Sequence, residues 1–122
     1  MTVEELYQSV EGSYASAKKV LMNDKLITRF LGKFLNDSSF ANLSAAFDAW
    51  DLEGIFQASH AMKGVCANLG LTRMAQLAGE ITEDLRPGKE RKLTDQELKD
   101  RMEELKVLYN KTVAAVKEFI GQ

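Results

Sequence analysis

Apolar residues recur along this chain every three or four positions, and strand-like alternation is nearly absent, so the pattern predicts helices. Thr2 and Glu5 make a capping box that opens a short first helix, and Ser13 stands where it can cap a second. Asn23 and Asp24 precede Leu26, Ile27, Phe30, Leu31 and Phe34, which share one face of a third helix. Asn36, Asp37 and Ser38 then break and recap the chain, and Phe40, Leu43, Phe47 and Trp50 form a heptad-like seam. Asp51 caps a helix predicted from about Leu52 to Leu69, which Gly70 ends. Thr72 reads as the cap of the next helix, with Met74, Leu77, Ala78, Ile81 and Leu85 facing inward, and Arg86-Pro87-Gly88-Lys89 stops it. Thr94 and Glu97 give a second capping box. A long last helix follows, with Leu98, Met102, Leu105, Tyr109, Val116 and Ile120 on one face. The predicted fold class is all-α: an antiparallel four-helix bundle with additional short N-terminal helices. Residues 1–122 read as a single domain, with 1–36 a helical extension and 37–122 the bundle core.

Composition narrows the chemistry. A chain of 122 residues with 45% hydrophobic positions can bury a core without disulfide or metal staples. The 16 Lys and Arg against 18 Asp and Glu leave a net charge of −2, which provides no field for nucleic-acid binding. The lone Cys66 can form no internal disulfide and, with one histidine, no Cys/His zinc set; no metal ligands are assigned. The five Met and the aromatics mostly fall on inner faces, and Cys66 reads as a small core residue. The opening Met1-Thr2-Val3-Glu4-Glu5 carries acid where a signal peptide carries base, and no apolar run approaches the roughly 20 residues that cross a bilayer. The expectation is a cytoplasmic chain without a membrane partner, free or part of a larger protein.

The one histidine, His60, falls in the middle of the Asp51-capped helix. Ile55, Ala58, Ser59, Met62, Val65, Cys66 and Leu69 mark that helix's inner face, and at about 100° per residue His60 points away from it, into solvent. Lys63, Gly64 and Ala67 follow on the same outward side, Phe56 lies one turn back as an exposed aromatic, and Gln57 flanks it. A lone surface histidine is usually only solvated; its neighbours change the reading. A mid-helix glycine costs about 1 kcal/mol relative to alanine. Internal packing does not account for Gly64, whereas a bare spot for another protein's approach does. Lys63 offers a mobile point charge to phosphoryl oxygens, and Phe56 and Ala67 offer apolar contact area. Imidazole is a competent nucleophile, and phosphoryl transfer needs mainly positioning and charge stabilisation. Gly54 and Gly79 read as close packing points. The basic loop of Arg86, Lys89, Arg91 and Lys92 reads as solvated.

The string His60-Ala61-Met62-Lys63-Gly64, with Ala67-Asn68-Leu69-Gly70 behind it, resembles the histidine-containing phosphotransfer (HPt) domain of multistep phosphorelays. The resemblance covers roughly Leu31 to Ile120. It implies a four-helix bundle with an exposed phosphoryl-accepting histidine. It implies transfer from an aspartyl phosphate on a receiver domain to His60, through Nε2, and on to another receiver. Lys63 would favour the phosphoryl charge and Gly64 would give the receiver access, with Phe56, Gln57, Ala67 and Asn68 as partner contacts. The partners implied are receiver (response-regulator) domains and a hybrid sensor histidine kinase. No cofactor is expected on this chain, the Mg²⁺ belonging to the receiver, and a monomeric phosphocarrier rather than a stand-alone enzyme is expected. Met62, Val65 and Cys66 depart from the family's usual residues, on the inner face. For the group that holds the ring's second nitrogen, Gln76, Glu80 and Thr82 all remain candidates. The alternative is a non-catalytic helical module that docks receivers or other proteins through the same face. A small hydrolase using His60 is a third reading; it would need a pocket where the periodicity offers a convex surface.

Overall fold

The computed structural model describes residues 1–122, which form seven helices and no strand: α1 (Val3–Ser9), α2 (Tyr14–Leu21), α3 (Asp24–Phe34), α4 (Ser39–Asp48), α5 (Leu52–Asn68), α6 (Thr72–Asp84) and α7 (Asp95–Gly121). Short connections join α4 to α5 and α5 to α6, so these neighbours run antiparallel. α5 packs between α4 and α6, α6 packs on α7, and α1 and α3 lie against α7. The all-helical bundle with short helices ahead of it is thus the observed architecture.

Local chemistry explains most boundaries. Both capping boxes form: Thr2 with Glu5 opens α1, and Thr94 with Glu97 opens α7. Ser13, Asn23 and Asp51 accept from backbone amides three residues on and open α2, α3 and α5. Ahead of α4 the cap comes from Asp37, whose Oδ1 accepts from the Ser39 amide at 2.8 Å, while Ser38 makes no side-chain cap bond. Gly70 ends α5 with φ +71°, in the left-handed region that suits glycine. Its conformation is doubly required: a Cβ there would lie 2.6 Å from the Ser13 carbonyl oxygen and 2.8 Å from the Ala17 Cβ.

Two expectations need correction. Thr72 does not cap α6; it is the first helical residue, preceded by Leu71. Its hydroxyl donates to the Glu11 carbonyl at 3.2 Å, and the Arg73 amide donates to the same oxygen at 3.2 Å, so a distant backbone carbonyl satisfies the first turn. Trp50 lies just past the end of α4 at φ +48°, yet its ring meets Phe47 edge-on at 6.0 Å and packs on the core, so it extends the seam from the helix end. Phe30 and Ile120 are partly outside, 37% and 43% exposed, because the inner face of α3 is Ile27, Leu31 and Phe34 and α7 ends its buried face at Val116.

A single core of 23 buried apolar residues extends from Val3 to Val116. The N-terminal helices take part in it: Leu6, Tyr7, Val10 and Ala17 are buried. Tyr7 donates its hydroxyl to the Leu69 carbonyl at 2.6 Å, and the Ser13 amide donates to the Gly70 carbonyl at 2.8 Å. The turn between α1 and α2 therefore clasps the junction of α5 and α6. At the far end of α6, Asp84 accepts from the amides of Lys92 and Leu93 and pairs with Arg91. Burial pushes this carboxyl up, but the Leu93 and Lys92 amides and the Arg91 guanidinium outweigh it, leaving it below its ordinary value. No helix is long and apolar enough to cross a membrane.

Candidate functional site

α5 holds the site in a fixed rotation. Ile55, Ser59, Met62 and Cys66 are buried along one face, and His60 is exposed on the other, as the periodicity predicts. Below His60, the hydroxyls of Ser59 and Thr82 lie 2.9 Å apart in the core and link α5 to α6. Ser59 also donates to the Phe56 carbonyl, and Thr82 reaches the Ala78 carbonyl at 2.8 Å. At the start of the helix, Gly54 makes room for its own cap: a Cβ would stand 2.6 Å from the Asp51 carboxylate.

Around His60 the surface is assembled from two helices. Gly64 is exposed, and a Cβ added to it would find no neighbour within 4 Å, so the fold itself makes no demand for glycine there. Lys63 is half-buried, with its stem lying across α6 at Gly79, whose added Cβ would meet the Lys63 Cδ at 3.5 Å. This stem follows the usual habit of long cations, covering apolar surface while the charged end reaches water. The ammonium forms no ion pair within the chain, unlike Arg86 and Lys89, which both bind Glu83. Those two cations hold the Glu83 carboxyl down at about 2, the Arg86 bond being the larger cause. Arg91 is likewise paired, with Asp84 and Asp95.

Phe56 is not the exposed aromatic expected from its position; it is half-buried, with two groups close to its ring. Its ring stacks on the His60 imidazole at 6.2 Å between centroids with 23° between planes, and the Arg86 guanidinium carbon lies 5.7 Å from its centroid. Gln57 is exposed and donates to Glu53, while Ala67 and Asn68 are exposed further along the same helix. Asn68 borders a groove of about 430 Å³ between α2, α3 and the end of α5, walled by Val20, Leu21, Phe30, Phe34, Val65 and Leu69. That groove does not include His60, which stands on open surface. The candidates for the ring's second nitrogen are engaged elsewhere: Gln76 accepts from Arg73, Glu80 pairs with Arg101, and Thr82 is buried with Ser59. Cys66 is fully buried, and burial, helped by the charge of Asp37, pushes its thiol up to about 12.

The sequence model of the Hpt domain family matches residues 29–108, from within α3 to the first half of α7. The chain belongs to the Hpt domain family. Hpt domains are phosphotransfer modules of two-component phosphorelays and interact with receiver domains. The matched stretch contains His60, and this Hpt domain has no other histidine. No curated protein and no solved structure gives a significant match to the chain. Gly79 and Arg86 are the neighbours of the candidate site that periodicity alone did not single out. Their signal is spatial, since each lies on or just past α6 and meets α5 only in the folded bundle.

Proposed function

We propose that this Hpt domain accepts a phosphoryl group on His60 from a receiver-domain aspartyl phosphate and passes it to another receiver. The observation that carries the reading is an only histidine, within the family match, exposed mid-helix on α5 beside a bare glycine and an unpaired lysine. In the forward step the lone pair of the neutral imidazole, at Nε2, attacks phosphorus. The bond from phosphorus to the aspartate oxygen breaks, and the carboxylate leaves with that electron pair. The return step is the same exchange run toward a second carboxylate. The chain needs to supply only position and charge. Ser59 and Thr82 set the rotation of α5, Lys63 extends its ammonium toward the phosphoryl oxygens, and Gly64 leaves room for the receiver's backbone. In this reading the Mg²⁺ belongs to the receiver. Receiver domains, among them that of a hybrid sensor kinase, are the partners, and Phe56, Gln57, Ala67 and Asn68 lie where they can touch one.

The test is transfer from a receiver bearing labelled aspartyl phosphate to the wild type and to His60→Gln. The expected result is an acid-labile, base-stable label on the wild type and none on the variant. Label persisting on the variant would assign the wrong residue. A wild type that binds receivers but takes no label from a broad panel would favour the non-catalytic docking module.

A further inference from the structure

If His60 carries the phosphoryl group, its ring must present Nε2 outward, and something must hold it there. No hydrogen bond within the chain reaches either ring nitrogen, and Gln76, Glu80 and Thr82 are turned to Arg73, Arg101 and Ser59. The ring beside the imidazole is that of Phe56, stacked at 6.2 Å and 23°. Phe56 is itself held. Arg86 lies 5.7 Å from its centroid, and Arg86 is fixed in turn by Glu83 through bonds from Nε at 3.2 Å and from a terminal nitrogen at 2.7 Å. Glu83 has a second anchor in Lys89 at 3.3 Å. The array runs from the end of α6 to the middle of α5 and terminates at the reactive ring.

We propose that Phe56, clamped by Arg86, is the positioning residue of this site and orients the His60 imidazole by stacking. The proposal rests on the phosphotransfer reading only for its consequence in rate; the ring orientation stands by itself. A stack of this type shifts rotamer populations by about 2- to 10-fold, and the competent fraction of His60 should fall by that factor when it is lost. Glu83 places the guanidinium and so acts one step further back.

The experiment uses the full chain as wild type, Phe56→Leu, Phe56→Trp and Arg86→Gln, with folding checked by thermal melts. Three-bond couplings and ring relaxation in NMR report the His60 rotamer spread. Labelling by phosphoramidate, which gives its phosphoryl group to the imidazole nitrogen and releases ammonia, reports reactivity without a docking partner. Transfer from a receiver then separates kcat from KM. In Phe56→Leu the ring should average among rotamers, and phosphoramidate labelling and kcat should each fall by about 2- to 10-fold. Phe56→Trp should restore both, and Arg86→Gln should show part of the loss. An unchanged His60 spread in Phe56→Leu would overturn the proposal. So would a loss confined to KM with phosphoramidate labelling intact, which would make Phe56 a partner contact. A wild type that takes nothing from receivers would sink the phosphotransfer reading, and the NMR comparison would still decide the positioning.

Discussion

Replacing Gly64 by alanine should make this protein more stable and less active. Gly64 lies inside α5 with helical neighbours on both sides, and an added Cβ meets nothing within 4 Å. The methyl group therefore introduces no clash, while the unfolded chain loses freedom and the helix gains a better former. Together these stabilise by about 0.5–1 kcal/mol. For a domain of this size the melting temperature should rise by about 2–6 °C. The same methyl group stands one turn from His60 on the outward face, where the receiver's backbone is proposed to approach, so the transfer rate should fall, and Gly64→Gln should lower it further. Urea or thermal melts give the first quantity, and a time course of labelled phosphate passing from a receiver gives the second. A destabilised Gly64→Ala would refute the structural premise that this face is open. A stabilised variant that transfers as fast as the wild type would refute the access role, leaving the glycine without a reason.

Three further outcomes follow from the packing. Gly70→Ala combines a left-handed φ with close contacts to Ser13 and Ala17, and should cost about 2–4 kcal/mol in a denaturant melt. Ser59→Ala or Thr82→Val alone should cost about 0.5–1.5 kcal/mol, since each removes the bond between α5 and α6 while the remaining hydroxyl keeps the carbonyl of its own helix. The double variant should cost less than the two single losses added, as a double-mutant cycle would reveal. Burial keeps the Cys66 thiol protonated up to about 12, against an ordinary value of 9.0, so its contribution is whole below pH 9 and declines as the pH rises toward 12. Between pH 9 and 10 the slope should approach on the order of 1.4 kcal/mol per pH unit, and Cys66→Ala should flatten it in urea melts taken across that range.

Four helix caps were readable because capping is local: Thr2, Ser13, Asp51 and Thr94 each bond an amide three residues away. The outward direction of His60 was readable for a similar reason, as a helix whose inner face is marked by Ile55, Ser59, Met62 and Cys66 has its rotation settled. What the pattern missed depends on residues far apart in the chain. Thr72 has the chemistry of a cap, but Glu11, 61 residues earlier, engages its hydroxyl. Phe56 looked exposed because periodicity knows nothing of Arg86, which comes to it from the end of α6. Gly79 looked like a plain packing point until the stem of Lys63 was seen to lie on it. The family pattern identified the neighbourhood of the histidine, while the engagement of Gln76, Glu80 and Thr82 elsewhere emerged only from the folded bundle.

The clasp between the α1–α2 turn and the α5–α6 junction bears on where this module can be cut. The family match opens at residue 29, yet Tyr7 and Ser13 bind the carbonyls of Leu69 and Gly70, and Glu11 receives the first donors of α6. A chain trimmed to the matched region would leave those groups without partners and uncover Leu69 and Leu71, at the base of the helix that bears His60. The inheritable unit and the cooperative unit of this protein have different edges. A fusion or graft that keeps only the former would carry the histidine on a helix whose end has come loose.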